Sequence, residues 1–169
     1  MLLVHPPVAK PGEPPAGLAR LAFALRSRGA ACRMWDASLE GLLDLLRRPA
    51  DGRAVTRPDS KPDTWTHRAL THVRQNLAAL RSPETFANPE RYKQAVLELN
   101  RVIRAAGEPW GGRITLANYT DPRRSPVKSR DLMDAAEHFE ENPFYPFFSR
   151  RLPALMDEGG AFAGPRLVG

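Results

Sequence analysis

The residues best placed to do chemistry lie in the opening stretch MLLVHPPVAKPGEPPAG, and their types suit holding a ligand more than transforming it. Met1 to Val4 is a short apolar run, and Pro6-Pro7 ends it, because proline offers no donor to a strand ladder. A Pro/Gly loop follows, containing Gly12, Glu13, Pro14 and Gly17, and then an apolar-periodic segment, LARLAFALRSRG. The order is strand, rigid loop, helix. In an open parallel α/β sheet that loop sits at the carboxyl end of the first strand, where ligands bind. His5, at the end of the same strand, either faces that crevice or is a satisfied core histidine. No Ser/His/Asp, Cys/His or paired-carboxylate set can be argued from spacing, although such sets assemble in space. His67 and His72 stand five apart on one expected helix, where metal ligands on a shared face stand four apart, so both are read as solvent-facing. His138, beside Glu137 and Glu140, is read as a surface residue.

The elements that must position these residues follow from periodicity. Residues 1–5 are expected to form a buried strand and 16–28 a helix with Leu18, Leu21, Ala22 and Leu25 on one stripe. Gly29 is a natural helix stop, and 31–36 reads as a second strand ending in Asp36. That makes a βαβ unit, with a right-handed crossover expected. Ser38 is a plausible cap for a helix burying Leu39, Leu42, Leu43 and Leu46. Pro49 and ADGRAVTRPDSKPD form a polar connection, followed by helices expected over 64–81 and 89–106, the second capped by Asn88-Pro89. RITLAN (113–118) reads as a short edge strand or extended loop. Ser129 is expected to cap a helix carrying Leu132, Met133, Ala136 and Phe139, with another helix over 147–157 that Pro153 kinks or starts. Residues 165–169 look like the start of a third strand. The division is 1–48 as a βαβα core, 49–110 as a helical insertion, and 111–169 as edge segment, helices and the beginning of that strand. The expected fold class is α/β, a Rossmann-like parallel sheet left incomplete, with the insertion between its second and third core strands.

Composition narrows the function classes. The chain has 169 residues with 42% hydrophobic and 26% charged content, enough for one domain with a core. No apolar run approaches the roughly 20 residues of a membrane span, and no signal-peptide pattern opens the chain, so a cytoplasmic location without membrane contact is expected. A single cysteine, Cys32, excludes an intramolecular disulfide and a thiolate-held cluster, and it reads as a small core residue. The net charge of +6 comes from scattered arginines with acidic neighbours, without interleaved aromatics, so no nucleic-acid partner is expected.

HPPVAKPGEPPAGLARLAFALRSRGAACRMWDASLEGLLDLL resembles the opening of the cobalamin-binding radical S-adenosylmethionine proteins. In that family the first strand leads to a Pro-Pro loop, a Gly-containing turn and a Pro-Leu-Gly-Leu-like helix start, and the second strand ends in Asp. The counterparts here are Pro6-Pro7, Gly12, Pro14-Pro15-Ala16-Gly17-Leu18 and Asp36. SRDLMDAAEHFEENPFYPFFSRRLPALMDEGGAFAGPRLVG is similar to a later stretch of the same subgroup, a Ser-x-Asp-Leu helix leading to an Asn-Pro-Phe segment. The resemblance implies a Rossmann-like cobalamin-holding domain, with a radical domain in cis or in trans. The four-iron cluster and S-adenosylmethionine would belong to that radical domain alone. The chain lacks its Cys-x3-Cys-x2-Cys motif, so it is not expected to be an enzyme by itself. It also lacks the Asp-x-His-x-x-Gly motif that supplies a cobalt ligand in other cobalamin proteins.

The resemblance implies cofactor contacts at Pro7, Gly12, Glu13, Pro14, Gly17 and Asp36, and each has a plainer reading beside it. Gly12 and Gly17 either serve turn geometry and close helix packing or let a corrin edge approach the backbone. Glu13 either accepts from a corrin amide or is a solvated acid that suits the helix dipole. Asp36 either lies near the cofactor or is a cap. Dinucleotide binding is disfavoured, because the loop lacks Gly-x-Gly-x-x-Gly spacing. The aromatic run Phe144 to Phe148 is read first as core filler. The alternative function is a non-enzymatic interaction module in which the insertion and this aromatic segment form a docking surface without cofactor.

Overall fold

In the computed structural model, residues 1–13, 15–48 and 63–158 are described. Pro14, the 49–62 connection and the expected third strand at 165–169 lie outside them. β1 (Leu2–His5) and β2 (Arg33–Asp36) pair in parallel, with Leu2 opposite Arg33 and His5 opposite Asp36. Between them α1 (Ala16–Arg26) makes the crossover and lies against both strands. Gly29 takes φ +78° just beyond the helix, a left-handed conformation that glycine adopts without side-chain strain. The strands alternate as pleating requires. Leu2, Val4 and Trp35 pack on Phe147, Phe148, Leu152 and Leu155 of α8 (Tyr145–Glu158).

A larger helical layer stands beside this small sheet. α2 (Ala37–Arg47) packs on α6 (Pro89–Gly107), and α3 (Thr64–Thr71), α4 (Val73–Ala79) and α5 (Pro83–Phe86) surround α6 from other directions. Leu42, Leu45, Leu99, Val102 and Ile103 make the centre of this core. Gly107 allows the end of α6 to meet β3 (Arg113–Ile114), since a Cβ there would come within 2.9 Å of Ile114 and 3.0 Å of the Gly112 carbonyl. Buried Arg48 joins the layers. Its guanidinium donates to Asp44 and to the Pro143 carbonyl, both at 3.0 Å, and lies 5.4 Å from the Trp110 ring centre.

The chain is thus mixed α/β with helices dominating, and several boundaries depart from expectation. The expected 64–81 helix breaks at His72 into α3 and α4. Asp36, not Ser38, caps α2, because its Oδ1 accepts from the Leu39 N–H at 2.9 Å and Ser38 is already inside the helix. On α2 the buried face holds Leu45 in place of Leu39, which is exposed. On α1 only Ala22 is buried, and Leu21 of the expected stripe is exposed. Residues 113–118 do not edge the parallel sheet. β3 instead pairs antiparallel with β4 (Tyr119–Thr120) as a separate hairpin. Ser129 does not cap α7 (Ser129–Glu137), since the cap position falls on Lys128 with no side-chain bond. Pro153 lies inside α8, which starts earlier than expected. Among the described residues, no helix is long and apolar enough to cross a membrane.

Candidate functional site

The parallel register brings His5 and Asp36 level at the carboxyl rim of the sheet. The bend 6–13 leaves β1 at this rim, packs Val8 against the main core and is tethered by hydrogen bonds at Ala9. The Ala9 N–H donates to Ser38 Oγ at 2.9 Å, and the Ser38 hydroxyl donates back to the Ala9 carbonyl at 3.3 Å. Ser38 is buried, so the first turn of α2 fixes where the bend starts its return. Beyond the tether the bend opens to solvent. Lys10, Pro11, Gly12 and Glu13 are all exposed. The Glu13 N–H donates to the Lys10 carbonyl, and its carboxylate pairs with Lys10 Nζ, both at 2.9 Å.

Gly12 and Gly17 both sit where the fold leaves open space beside the backbone. Neither has a positive φ, and a Cβ built at either meets nothing within 4 Å. Gly12 sits in the turn closed by the Lys10 carbonyl and the Glu13 N–H, so its turn reading stands, while close packing accounts for neither glycine. Their effect is to leave bare backbone facing outward.

Pro6 and Pro7 line a cleft of about 360 Å³ at the end of β1. Its other walls are mostly aromatic: Tyr119, Phe139, Phe144, Tyr145 and Phe148, with Ala135 and Asn142. Phe144 and Phe148 also belong to the core, while Tyr145 is exposed and lies 5.1 Å from the Phe139 ring. The core-filler reading therefore holds for Phe147, Phe144 and Phe148 serve both core and cleft, and Tyr145 lines the cleft alone. The Tyr119 hydroxyl makes no hydrogen bond among the described residues. Burial, and then the Asp121 carboxylate, raise its pKa, so it stays a neutral donor.

One wall of the cleft is held by charge. Arg124 donates to Asp121, Asp134 and Glu141, and Arg123 pairs with Asp121 and Glu141. The Arg124 hydrogen bond holds the Asp134 carboxyl below its usual range. His138 is raised, first by its bond to the Asp134 carbonyl and then by the Asp134 carboxylate. These contacts carry α7, with Ala135, and the following turn, with Phe139, to the cleft mouth.

The six residues named from sequence are not brought together in one pocket. Pro7 lines the cleft. Gly12 and Glu13 sit on the open bend, Gly17 is exposed in the first turn of α1, and Asp36 caps α2 at the rim. Pro14 lies outside the described residues. The cleft residues Tyr119, Phe139 and Asn142 were not singled out, because they approach Pro7 only through tertiary packing. His72 also departs from its solvent-facing reading. It is half-buried and lies 3.5 Å from Glu98. His67 and His138 are exposed as expected, and His5 is half-buried. Cys32 lies just before β2, half-buried, with its thiol 3.6 Å from the Ala22 carbonyl.

Among the described residues no group of three or more His, Cys, Asp and Glu could hold a metal ion. A cleft of this size falls at the low end of the roughly 300–1,000 Å³ typical of small-molecule sites. Compared with known proteins, the chain matches no family model, no curated protein and no solved structure.

Proposed function

We propose that this chain is the cofactor-holding part of a cobalamin-dependent radical enzyme, not catalytic by itself, with a Rossmann-like sheet whose carboxyl rim seats the corrin. The supporting observation is the Pro6-Pro7 bend, which leaves the rim of two parallel strands beside an aromatic cleft. The residues present fit an apolar ring edge. Pro6, Pro7, Phe139 and Tyr145 would contact it, and the bare backbone at Gly12 and Gly17 would not obstruct the rest. Glu13 could accept from a peripheral amide after releasing Lys10, an exposed pair that costs little to break. Asp36 contributes indirectly, by capping the helix that carries Ser38. When bound, cobalamin supplies the organometallic chemistry, and these residues bind and orient it. The radical domain, in cis or in trans, would supply the iron cluster and S-adenosylmethionine.

Titration of the chain with hydroxocobalamin tests this reading. The expected result is a saturable shift of the corrin absorption bands. An unchanged spectrum at high micromolar protein would count against it. The second reading, an interaction module without cofactor, is favoured by one observation on the insertion. Phe86 is 77% exposed and stands edge-on to Tyr92, so two rings face solvent on the helical layer.

A further inference from the structure

α7 is amphipathic, yet none of its residues is buried. Leu132 is 53% exposed and Met133 63%, and Val127 just ahead of the helix is 87% exposed. Leu132, Met133 and Ala136 fall on one side of the helix at three- and four-residue spacing. An apolar stripe of this kind normally faces a core. Here the helix is held through its other side, where Asp134 meets Arg124 and Asp131 accepts from the Ser125 N–H at 2.8 Å.

The charges flanking the stripe say what covers it. Arg130 near the amino end and Glu137 at the carboxyl end are exposed, and neither has an ionic partner among the described residues. This order opposes the helix dipole, which favours acids at the amino end and bases at the carboxyl end. The two residues are one heptad apart, so they share the flank beside Met133. In an antiparallel pair of identical helices, residues on the same flank face each other. An arrangement unfavourable within one helix is therefore complementary between two.

We infer that α7 pairs antiparallel with α7 of a second copy of this chain. Met133, Leu132 and Ala136 are covered across a two-fold axis, and Arg130 of each copy meets Glu137 of the other. The contact is isologous, so it closes on itself as a dimer. A pair of such short helices buries less than the roughly 1,200 Å² of a stable interface, so the dimer is weak.

Sedimentation equilibrium from low micromolar to about millimolar chain tests the inference. The parent should show a reversible monomer–dimer equilibrium. Arg130→Glu and Glu137→Arg should each weaken it about tenfold, since each turns two attractions into two repulsions. The double variant R130E/E137R should restore association to within about threefold of the parent. Each single change moves the helix's own charge in the direction its dipole favours, so a role confined to helix stability predicts no loss of association. A parent that stays monomeric throughout, its stripe then belonging to a different partner, would overturn the inference. A dimer indifferent to both single reversals would do the same.

Discussion

Around α6, Leu99, Val102 and Ile103 are almost completely withdrawn from water by helices on several sides. Around β1 the sheet has two described strands, and the bend beyond it is exposed from Lys10 to Glu13. The helical layer is held by apolar burial. The rim is held by the serine tether, the packing of Val8 on the main core, the strand pair and the contacts of α1 and α8, and the cleft wall beyond it by ion pairs. Apolar burial is concentrated in the helical layer, while the bend at the rim stays open to solvent. An open loop on a firm scaffold is the usual arrangement for binding.

The largest expected effect breaks the firm side. Ile103→Ala removes a side chain at the centre of the core and should cost about 2–5 kcal/mol in chemical denaturation. A cost below about 1 kcal/mol would mean that the helical layer is not where stability lies.

Much of this contrast was legible in the sequence, and the reasons differ by region. Parallel β1 and β2, α1, and α6 with its Asn88 cap follow from local patterns: a run that Pro6 stops, a stripe that Gly29 ends, an Asn-Pro start. The cleft was half legible. Pro7 and the dense aromatics at 144–148 could be named, but only packing shows that Tyr119 and Phe139 face the prolines. Asp36 and Ser38 stand two apart at a helix start, and either could cap. Asp36 takes the cap because the helix begins at Ala37, and Ser38, inside it, bonds instead to Ala9, a residue far from it in sequence. The exposed stripe of α7 was illegible, because periodicity tells which side is apolar and not whether anything covers it.

A smaller effect sharpens the contrast at the tether. Ser38→Ala removes both bonds to Ala9 and should cost about 1 kcal/mol globally. Amide hydrogen exchange should show bend amides exchanging much faster, with α6 unchanged. Equal acceleration in α6 would mean that the two regions unfold as one unit.

The smallest effect concerns acid. Burial pushes the Glu98 carboxyl up, but hydrogen bonds from Asn76 and Gln94, with His72 and Arg68 nearby, more than offset it, and the net pKa is lowered. A depressed carboxyl stabilises fully above its unfolded value, near 4.5, and that contribution disappears as pH falls through the folded value. The parent should therefore lose stability below about pH 4.5 more steeply than Glu98→Gln does in the same melts. Parallel curves would remove Glu98 as the tie between α6 and α4.

The account rests most on the Pro6-Pro7 bend and its aromatic cleft seating a corrin edge, with the open backbone at Gly12 and Gly17 leaving the rest of the ring unobstructed. The most direct test is the hydroxocobalamin titration repeated on Gly17→Leu, at an exposed position where an added Cβ meets nothing within 4 Å. Binding should weaken at least about tenfold while thermal stability holds or rises, because leucine favours helix over glycine by several tenths of a kcal/mol. Undiminished binding by that variant would contradict the claim.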